Sequence, residues 1–487
     1  MIRLLENSHE YNNDLRAMLM AFYPGEDISE KEDADARFTL VCDYDDTGAT
    51  LHILEDGMLT GTERAIGDYK DRQNFRNAIK LAIYHLLSAK TGRVLPWGDL
   101  TGMRPTKIAM KALQEGETPD DIRRMYREVY EVSGAKTELA LDVAQHEIRL
   151  LTGLAADDYC LYIGIPFCPS RCLYCSFTSY PIELYRGEVD TYLERLTEEI
   201  RMIRDLTRGR RLAACYIGGG TPSSIDETQT KRLLSGIAEI YPELAEGRIE
   251  YTVEAGRPDS ITAGKLAVYR AYGVNRISIN PQTMHDETLA RIGRAHSVQD
   301  VKDAFAMARA EGFTNINMDL IAGLPGEDAS MMKKTLAQVE DLAPESLTIH
   351  SLAVKRAARL REEFDAYGDT IHRDMEEMLD LADASARGMG MEPYYMYRQK
   401  NMGGNLENIG YAKPGTESMY NILIMEEMID IMAAGAGAVT KPVRRTSDNL
   451  SERPQRVDRI ENCKSLRDYL DRFPEMMDRK EKAFRRI

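Results

Sequence analysis

From Cys160 to about residue 355 the chain alternates short apolar runs with longer amphipathic ones. The short runs are CLYIGIP, LAACYIG, IEYTVEA, VNRISIN, TNINMDLIAG and SLTIHSLAV, which read as strands. Between them DTYLERLTEEIRMIRDL, ETQTKRLLSGIAEIY, AGKLAVYRAYG, SVQDVKDAFAMARAEG and SMMKKTLAQVEDLA carry helical periodicity. Strand and helix alternating in this way predict a parallel sheet covered by helices, either open and doubly wound or a full or partial barrel. Both architectures put chemistry at the C-terminal strand ends.

The first 155 residues follow another pattern. FTLVCDY and TLHILED flank Asp45, Asp46, Thr47 and Gly48, which predicts a hairpin. Helices follow: QNFRNAIKLAIYHLLSAKTG puts Phe75, Ile79, Ile83 and Leu87 on one face, and KTELALDVAQHEIRLLTGL does so with Leu139, Val143 and Ile148. LPWGDLTGMRP holds Trp97, the sole tryptophan, and reads as a packed connector between helices. We divide the chain into an α+β domain at 1–155, a core at 156–400 and a C-terminal region at 401–487. From residue 441 onward 14 basic face 9 acidic side chains, the composition of one or two charged helices with a solvated face.

Composition narrows the classes. With 43% hydrophobic and 29% charged residues the chain can bury a sizeable core, and its net charge of -16 disfavours nucleic acid as a partner. No run approaches the roughly 18 apolar residues of a membrane span, and the opening residues have neither a signal-peptide nor a transit-peptide pattern. Seven cysteines, an odd number, suit reduced thiols, so a cytoplasmic location is expected.

Three of those cysteines crowd into YIGIPFCPSRCLYC. Cys168, Cys172 and Cys175 have the spacing C-x3-C-x2-C directly after the first predicted strand. A structural zinc site would bring four ligands in two separated pairs, and no second pair lies nearby. Three thiolates on one loop can hold three irons of a 4Fe-4S cluster and leave the fourth iron open to another ligand. Cys160 and Cys215 fall within predicted strands and read as core residues. Next, YIGGGTPS ends the second strand with three glycines, which permit close backbone approach to a ligand or simply a tight turn. His350, at the end of the sixth strand, is either a core histidine or a site-facing one.

Together with VEAGRPD, VNRISINPQTMHDETLARIGRAH and NINMDLIAGLPGE, these motifs resemble the radical S-adenosylmethionine enzymes of the oxygen-independent coproporphyrinogen III dehydrogenase group, from about residue 158 to 355. YYMYRQKNMGGNLENIGYAKPG and AGAGAVTKPV are similar to the HemZ-like branch. The resemblance implies a partial (β/α)6 radical SAM barrel with an N-terminal α+β domain and a small helical C-terminal extension. It also implies a 4Fe-4S cluster on Cys168, Cys172 and Cys175, whose electron splits S-adenosylmethionine to a 5'-deoxyadenosyl radical. Tyr162, Gly219, Gly220, Thr221 and Glu254 match positions that hold the first S-adenosylmethionine, and Gln282, Arg294 and Asp319 those that hold a second. A tetrapyrrole with four propionates would need cations, for which Lys355, Arg356, Arg359, Arg398 and Lys400 are candidates; the wet face of a helix is the plainer explanation for each. An electron-donor protein such as a flavodoxin or ferredoxin is implied as a partner.

Two departures matter. Dehydrogenases of this group carry a further cysteine two residues after the third, where this chain has Phe177. The haem-chaperone relatives lack that cysteine but carry a late His-Asn pair, and here GNLENIGY offers Asn405 without a histidine. The resemblance therefore implies oxidative decarboxylation of coproporphyrinogen III to protoporphyrinogen IX, with a haem chaperone or another radical enzyme on a tetrapyrrole as alternatives.

Overall fold

Alternation of buried and more exposed residues, clearest in Phe38–Asp45, builds the first sheet. The computed structural model describes all residues except 32–34, 354–373, 400–404, 451, 453, 486 and 487. β1 (Ile2–Glu6), β2 (Ile28–Ser29), β3 (Phe38–Asp45), β4 (Gly48–Glu55) and β5 (Met58–Ile66) lie in the order β2-β1-β3-β4-β5. β3 and β4 form the predicted hairpin, with Asp45 opposite Gly48. Phe38, Leu40, Cys42 and Tyr44 of β3 are buried in a core shared with α1 (Asn12–Phe22) and α2 (Arg72–Thr91), where the predicted stripe Phe75, Ile79, Ile83 and Leu87 lies. Three helices follow, α3 (Thr106–Gln114), α4 (Pro119–Val129) and α5 (Gly134–Leu151).

Two compact units emerge. Among the described residues one takes 1–145, 351–353 and 396–408; the other takes 146–350, 374–395 and 409 onward. Within the first unit, Trp97 is fully buried and donates to Glu407 at 2.7 Å, and Lys136 reaches the other oxygen of that carboxylate at 2.7 Å.

In the second unit every predicted strand and helix of the repeat forms. The chain runs β6 (Tyr159–Ile165), β7 (Phe167–Cys168), β8 (Tyr180–Pro181), α6 (Arg186–Leu206), β9 (Leu212–Gly219), α7 (Glu227–Ile240) and β10 (Glu250–Gly256). It continues through α8 (Ala263–Ala271), β11 (Arg276–Ile279), α9 (Asp286–Arg291), α10 (Val298–Ala310), β12 (Ile316–Ala322), α11 (Ala329–Leu342) and β13 (Ser346–Ser351). The last elements are α12 (Met375–Gly388), β14 (Glu392–Tyr397), β15 (Asn408–Ala412), α13 (Met419–Glu426), β16 (Asp430–Ala434), α14 (Leu466–Asp471) and α15 (Phe473–Arg485).

The sheet order is β14-β15-β13-β12-β11-β10-β9-β6-β16, and the described ladders leave it open, as in a partial barrel. β16, β6, β9, β10, β11 and β12 are mutually parallel, whereas β15 runs antiparallel to β13. The C-terminal region is thus more than helices, because β15 and β16 extend the main sheet.

The central strands differ from ordinary buried parallel strands, which are apolar on both faces. Tyr251, Val253, Ile277, Ile279, Met318, Leu320, Leu347 and Ile349 give one apolar face. The alternate positions carry Thr252, Glu254, Arg276, Ser278, Asn317, Asp319, Ser346, Thr348 and His350. These side chains bond across strands: Asn317 donates to Ser278 at 3.1 Å, Thr348 to Asn317 at 3.2 Å and Arg276 to Ser346 at 3.1 Å. Burying so many polar groups is tolerable only because they satisfy one another.

Candidate functional site

The cysteine loop leaves β6 at Ile165 and is pinned at its base. β7 pairs with β8 through Phe167 and Tyr180, so Cys172 and Cys175 lie between two tied ends. Inside the loop, the Cys175 N–H donates to the Cys172 carbonyl at 3.2 Å. The glycine turn docks beneath: Gly220 N–H donates to Ile165 at 2.8 Å, and Thr221 N–H to Phe167 at 2.7 Å. The Thr221 hydroxyl reaches Cys168 Sγ at 3.4 Å. A Cβ on Gly220 would stand 2.6 Å from the Phe167 carbonyl oxygen and 3.0 Å from Cys168 Sγ, and Gly219 adopts a φ of +112°. Glycine at these two positions is a steric requirement of the loop.

Burial pushes the Cys168 thiol up to about 11 and raises Cys175 as well. Thiols in such surroundings give up their protons to a metal rather than to water. Among the described residues no three His, Cys, Asp or Glu side chains are gathered tightly enough for a single ion. A cluster spreads its thiolates over separate irons, so three sulfurs on one loop fit it without meeting at a point. Arg257 supplies positive charge beside them, with one guanidinium nitrogen 4.0 Å from Cys172 Sγ and 2.7 Å from the Ser170 hydroxyl, and it pairs with Asp259 at 2.5 Å.

Glu254 lies one strand further on. Its Oε1 accepts from the Tyr216 hydroxyl at 2.5 Å and its Oε2 from the Gly219 N–H at 3.3 Å. Desolvation, with Asp319 as a like charge, pushes the Glu254 carboxyl up to about 7 against the pull of those two donors. Among the described residues no lysine or arginine forms an ion pair with it. The carboxyl is therefore a buried acceptor still short of a cation or strong donor, which suits the amino group of S-adenosylmethionine. The Tyr162 hydroxyl comes within 3.3 Å of where a Gly219 Cβ would be, so it faces the same turn.

The other motif residues gather along β11 to β13. Gln282 has a left-handed φ of 71°, held by its N–H on the Asp319 carbonyl and by the Ile321 N–H on its own carbonyl, both at 2.9 Å. A non-glycine residue pays about 1–2 kcal/mol for this conformation, and the ladder to β12 enforces it. Arg294 donates to the Asn280 and Pro281 carbonyls, and its buried Nε has no hydrogen-bond partner among the described residues. Asp319 accepts from Asn317 at 2.7 Å and faces His350 Nε2 at 3.8 Å. Burial raises its carboxyl, but bonding to His350, Asn317 and Thr348 outweighs this and leaves it below the ordinary value.

Of the substrate candidates, Lys355, Arg356, Arg359 and Lys400 lie outside the described residues. Arg398 is 2% exposed, sits over the Trp97 ring and donates to the Leu100 carbonyl at 2.7 Å and the Gly102 carbonyl at 3.0 Å. Its charge is engaged in holding residues 100–102.

Sequence reasoning passed over Arg257, Tyr216, Tyr420 and His296. Arg257 stood in the quoted VEAGRPD motif, and its place directly after the third strand of the repeat was the available signal. His296 is buried, 4.0 Å from Asp259, and desolvation with the nearby Arg294 charge pushes it down to about 4, so it is neutral. Tyr216 opens the quoted YIGGGTPS stretch, but its meeting with Tyr420 depends on the fold and the sequence carried no signal for it.

Residues 162–339 match the Radical SAM superfamily. Fold and cysteine loop together define a radical S-adenosylmethionine protein, a class whose domain implies a 4Fe-4S cluster and S-adenosylmethionine. Over 427 residues the chain is 38% identical to the oxygen-independent coproporphyrinogen-III oxidase-like protein HemZ of Bacillus subtilis, covering 86% of this chain and 84% of that one. It belongs to the HemZ-like branch of the oxygen-independent coproporphyrinogen III dehydrogenase family. It is also 31% identical over 288 residues to the heme chaperone HemW of Escherichia coli, covering 58% of this chain and 70% of that one. In fold it resembles the coproporphyrinogen III oxidase HemN of Escherichia coli, a radical SAM enzyme, with a TM-score of 0.50 and 21% identity over 71% of this chain and 73% of that one. Among the described residues no helix is long and apolar enough to cross a membrane.

Proposed function

We propose that the protein carries out the oxygen-independent oxidative decarboxylation of coproporphyrinogen III to protoporphyrinogen IX. The observation that carries this is the docking of the cysteine loop onto the glycine turn, with the underbonded Glu254 carboxyl beside it. Cys168, Cys172 and Cys175 would hold the cluster, and Tyr162, Gly219, Gly220, Thr221 and Glu254 the first S-adenosylmethionine. When bound, these groups would supply a carbon radical able to take hydrogen from a propionate β-carbon, after which that propionate would lose CO2 and give one electron to an acceptor to leave a vinyl group. Glu254 accepts from the amino group, Arg257 balances thiolate charge, and the rings of Tyr162, Tyr216 and Tyr420 keep water from the buried side of the site. The Arg294 guanidinium, which holds the Pro281 carbonyl next to Gln282 and whose Nε has no partner among the described residues, supports a second S-adenosylmethionine there. Lys355, Arg356, Arg359 and Lys400 are the cations offered to the propionates. A flavodoxin or ferredoxin would supply electrons.

A haem chaperone is the second reading. It is favoured by Phe177, 67% exposed, where the dehydrogenases carry their further cysteine, and by the similarity to HemW. Anaerobic incubation of the reconstituted protein with S-adenosylmethionine, reductant and coproporphyrinogen III separates the two. Protoporphyrinogen IX formed together with 5'-deoxyadenosine is expected. Deoxyadenosine without protoporphyrinogen would end the decarboxylase reading, and stoichiometric haem binding without turnover would favour the chaperone.

A further inference from the structure

Tyr216 stands two residues before the glycine turn, outside the residues that the motifs single out. Its ring lies 4.5 Å from Tyr420 at 19° and 6.4 Å from Tyr162 at 16°, and Tyr162 and Tyr420 are 5.9 Å apart at 18°. The three near-parallel rings come from β6, β9 and α13. Tyr420 is fixed in turn because Glu250 on β10 accepts from the Ser418 hydroxyl at 2.7 Å, from the Tyr420 N–H at 3.3 Å and from the Met419 N–H. A phenol stacked in this way cannot swing, and its hydroxyl is delivered to Glu254 Oε1.

We infer that Tyr216 is a positioning residue that keeps Glu254 ionised and aimed to accept from the amino group of S-adenosylmethionine. The inference rests on the reading that Glu254 holds that group. The titratable groups around Glu254 are Tyr162 from β6, Tyr216 from β9, Asp319 from β12, His350 from β13 and Tyr420 from α13. Burial and Asp319 disfavour the carboxylate, while Tyr216, the Gly219 N–H and His350 favour it. With the carboxyl balanced at about 7, loss of one donor moves it from half ionised to mostly neutral near neutral pH. A hydrogen bond to a charged group favours its ionised form by about tenfold to a hundredfold.

Tyr216→Phe removes the hydroxyl and keeps the stacked ring. Wild type, Tyr216→Phe and Glu254→Gln, each anaerobically reconstituted with its cluster, are compared for S-adenosylmethionine binding by equilibrium dialysis from pH 6 to 9. All three meet the same titration of the ligand, so ratios of Kd isolate the protein. The expected result is Tyr216→Phe binding about five- to fiftyfold more weakly than wild type at pH 7. Its affinity should come within about twofold of wild type by pH 9. Glu254→Gln should be weaker at every pH, with a loss that grows as pH rises through 7 and Glu254 ionises in wild type. A Tyr216→Phe profile that superimposes on wild type, or one weaker by the same factor at all pH values, overturns the positioning role. Glu254→Gln binding as wild type does overturns the role of Glu254 itself, and Tyr216 falls with it.

Discussion

Two inward-facing glutamates in the second unit, Glu254 only half-buried, share a chemistry and differ in how far it is completed. Glu199 on α6 is fully buried and accepts from the Tyr469 hydroxyl at 2.7 Å, the Asn462 amide at 2.8 Å and the Gly435 N–H at 2.9 Å. Lys480 of α15, also fully buried, adds an ammonium that bonds both Glu199 and the Ala433 carbonyl. Among the described residues Glu254 has a tyrosine and a backbone N–H but no cation. A completed carboxylate is a brace; an incomplete one is a place for a ligand. The brace lies close to the chemistry nonetheless. Tyr192 donates to the Gly164 carbonyl at 2.6 Å and accepts from the Ala436 N–H at 3.1 Å, so the turn that Glu199 fixes is tied to the last residues of β6 before the cysteine loop.

The contrast is broken most severely at Lys480. Lys480→Met keeps the length of the side chain and strands a carboxylate inside the protein. Removing one partner of a buried pair costs about 3–5 kcal/mol. Chemical denaturation should show a loss of that size, with partial recovery on adding Glu199→Gln. Unchanged stability would mean that the pair braces nothing.

Glu254→Gln should act in the opposite direction. The folded carboxyl sits at about 7 against an ordinary 4.5, so above pH 7 the folded protein carries a charge its surroundings disfavour. Below about pH 4.5 the group is neutral whether the chain is folded or not, and the cost disappears. A neutral glutamine should therefore stabilise the ligand-free protein at pH 8 by at most about 3 kcal/mol, less because the carboxyl keeps some solvent. The gain should fade as pH falls from 7 to 4.5. Denaturation at pH 8 and pH 5 measures it, and destabilisation at pH 8 would place Glu254 among the braces.

How much of this was legible follows from separation along the chain. The strands from Cys160 to Ser351 could be read because each is a local apolar run, and Cys168, Cys172, Cys175 and the glycines could be read because one loop and one turn contain them. Gly220 went beyond the reading, since only the fold shows that a Cβ there would strike the Phe167 carbonyl. Lys480 looked like part of a charged, wet helix, yet it meets Glu199 across 281 residues. Arg398 looked like a cation open to propionates or to water, and a sequence cannot say whether such a guanidinium points to solvent, to a ligand or, as here, to carbonyls at residues 100 and 102. The polar face of β10 to β13 was written in the alternation of Glu254, Ser278, Asn317, Asp319, Thr348 and His350, but apolar neighbours dominate those runs and mask it.

The smallest effect is expected two residues from the largest. Lys482 lies on the same helix as Lys480 and pairs with Asp478 at 2.6 Å, one turn earlier, with side chains 66% and 54% exposed. Its distance is as good as that of many buried pairs, so geometry alone would rank the two lysines together. Solvent decides otherwise: an exposed i,i+4 pair is screened, costs side-chain entropy to hold and contributes about 0.3–0.5 kcal/mol. Lys482→Met should shift the denaturation midpoint by no more than that, and raising the salt should erase the shift. A loss approaching that of Lys480→Met would show that charge on α15 matters regardless of burial, and the distinction between completed and incomplete carboxylates would lose its physical basis.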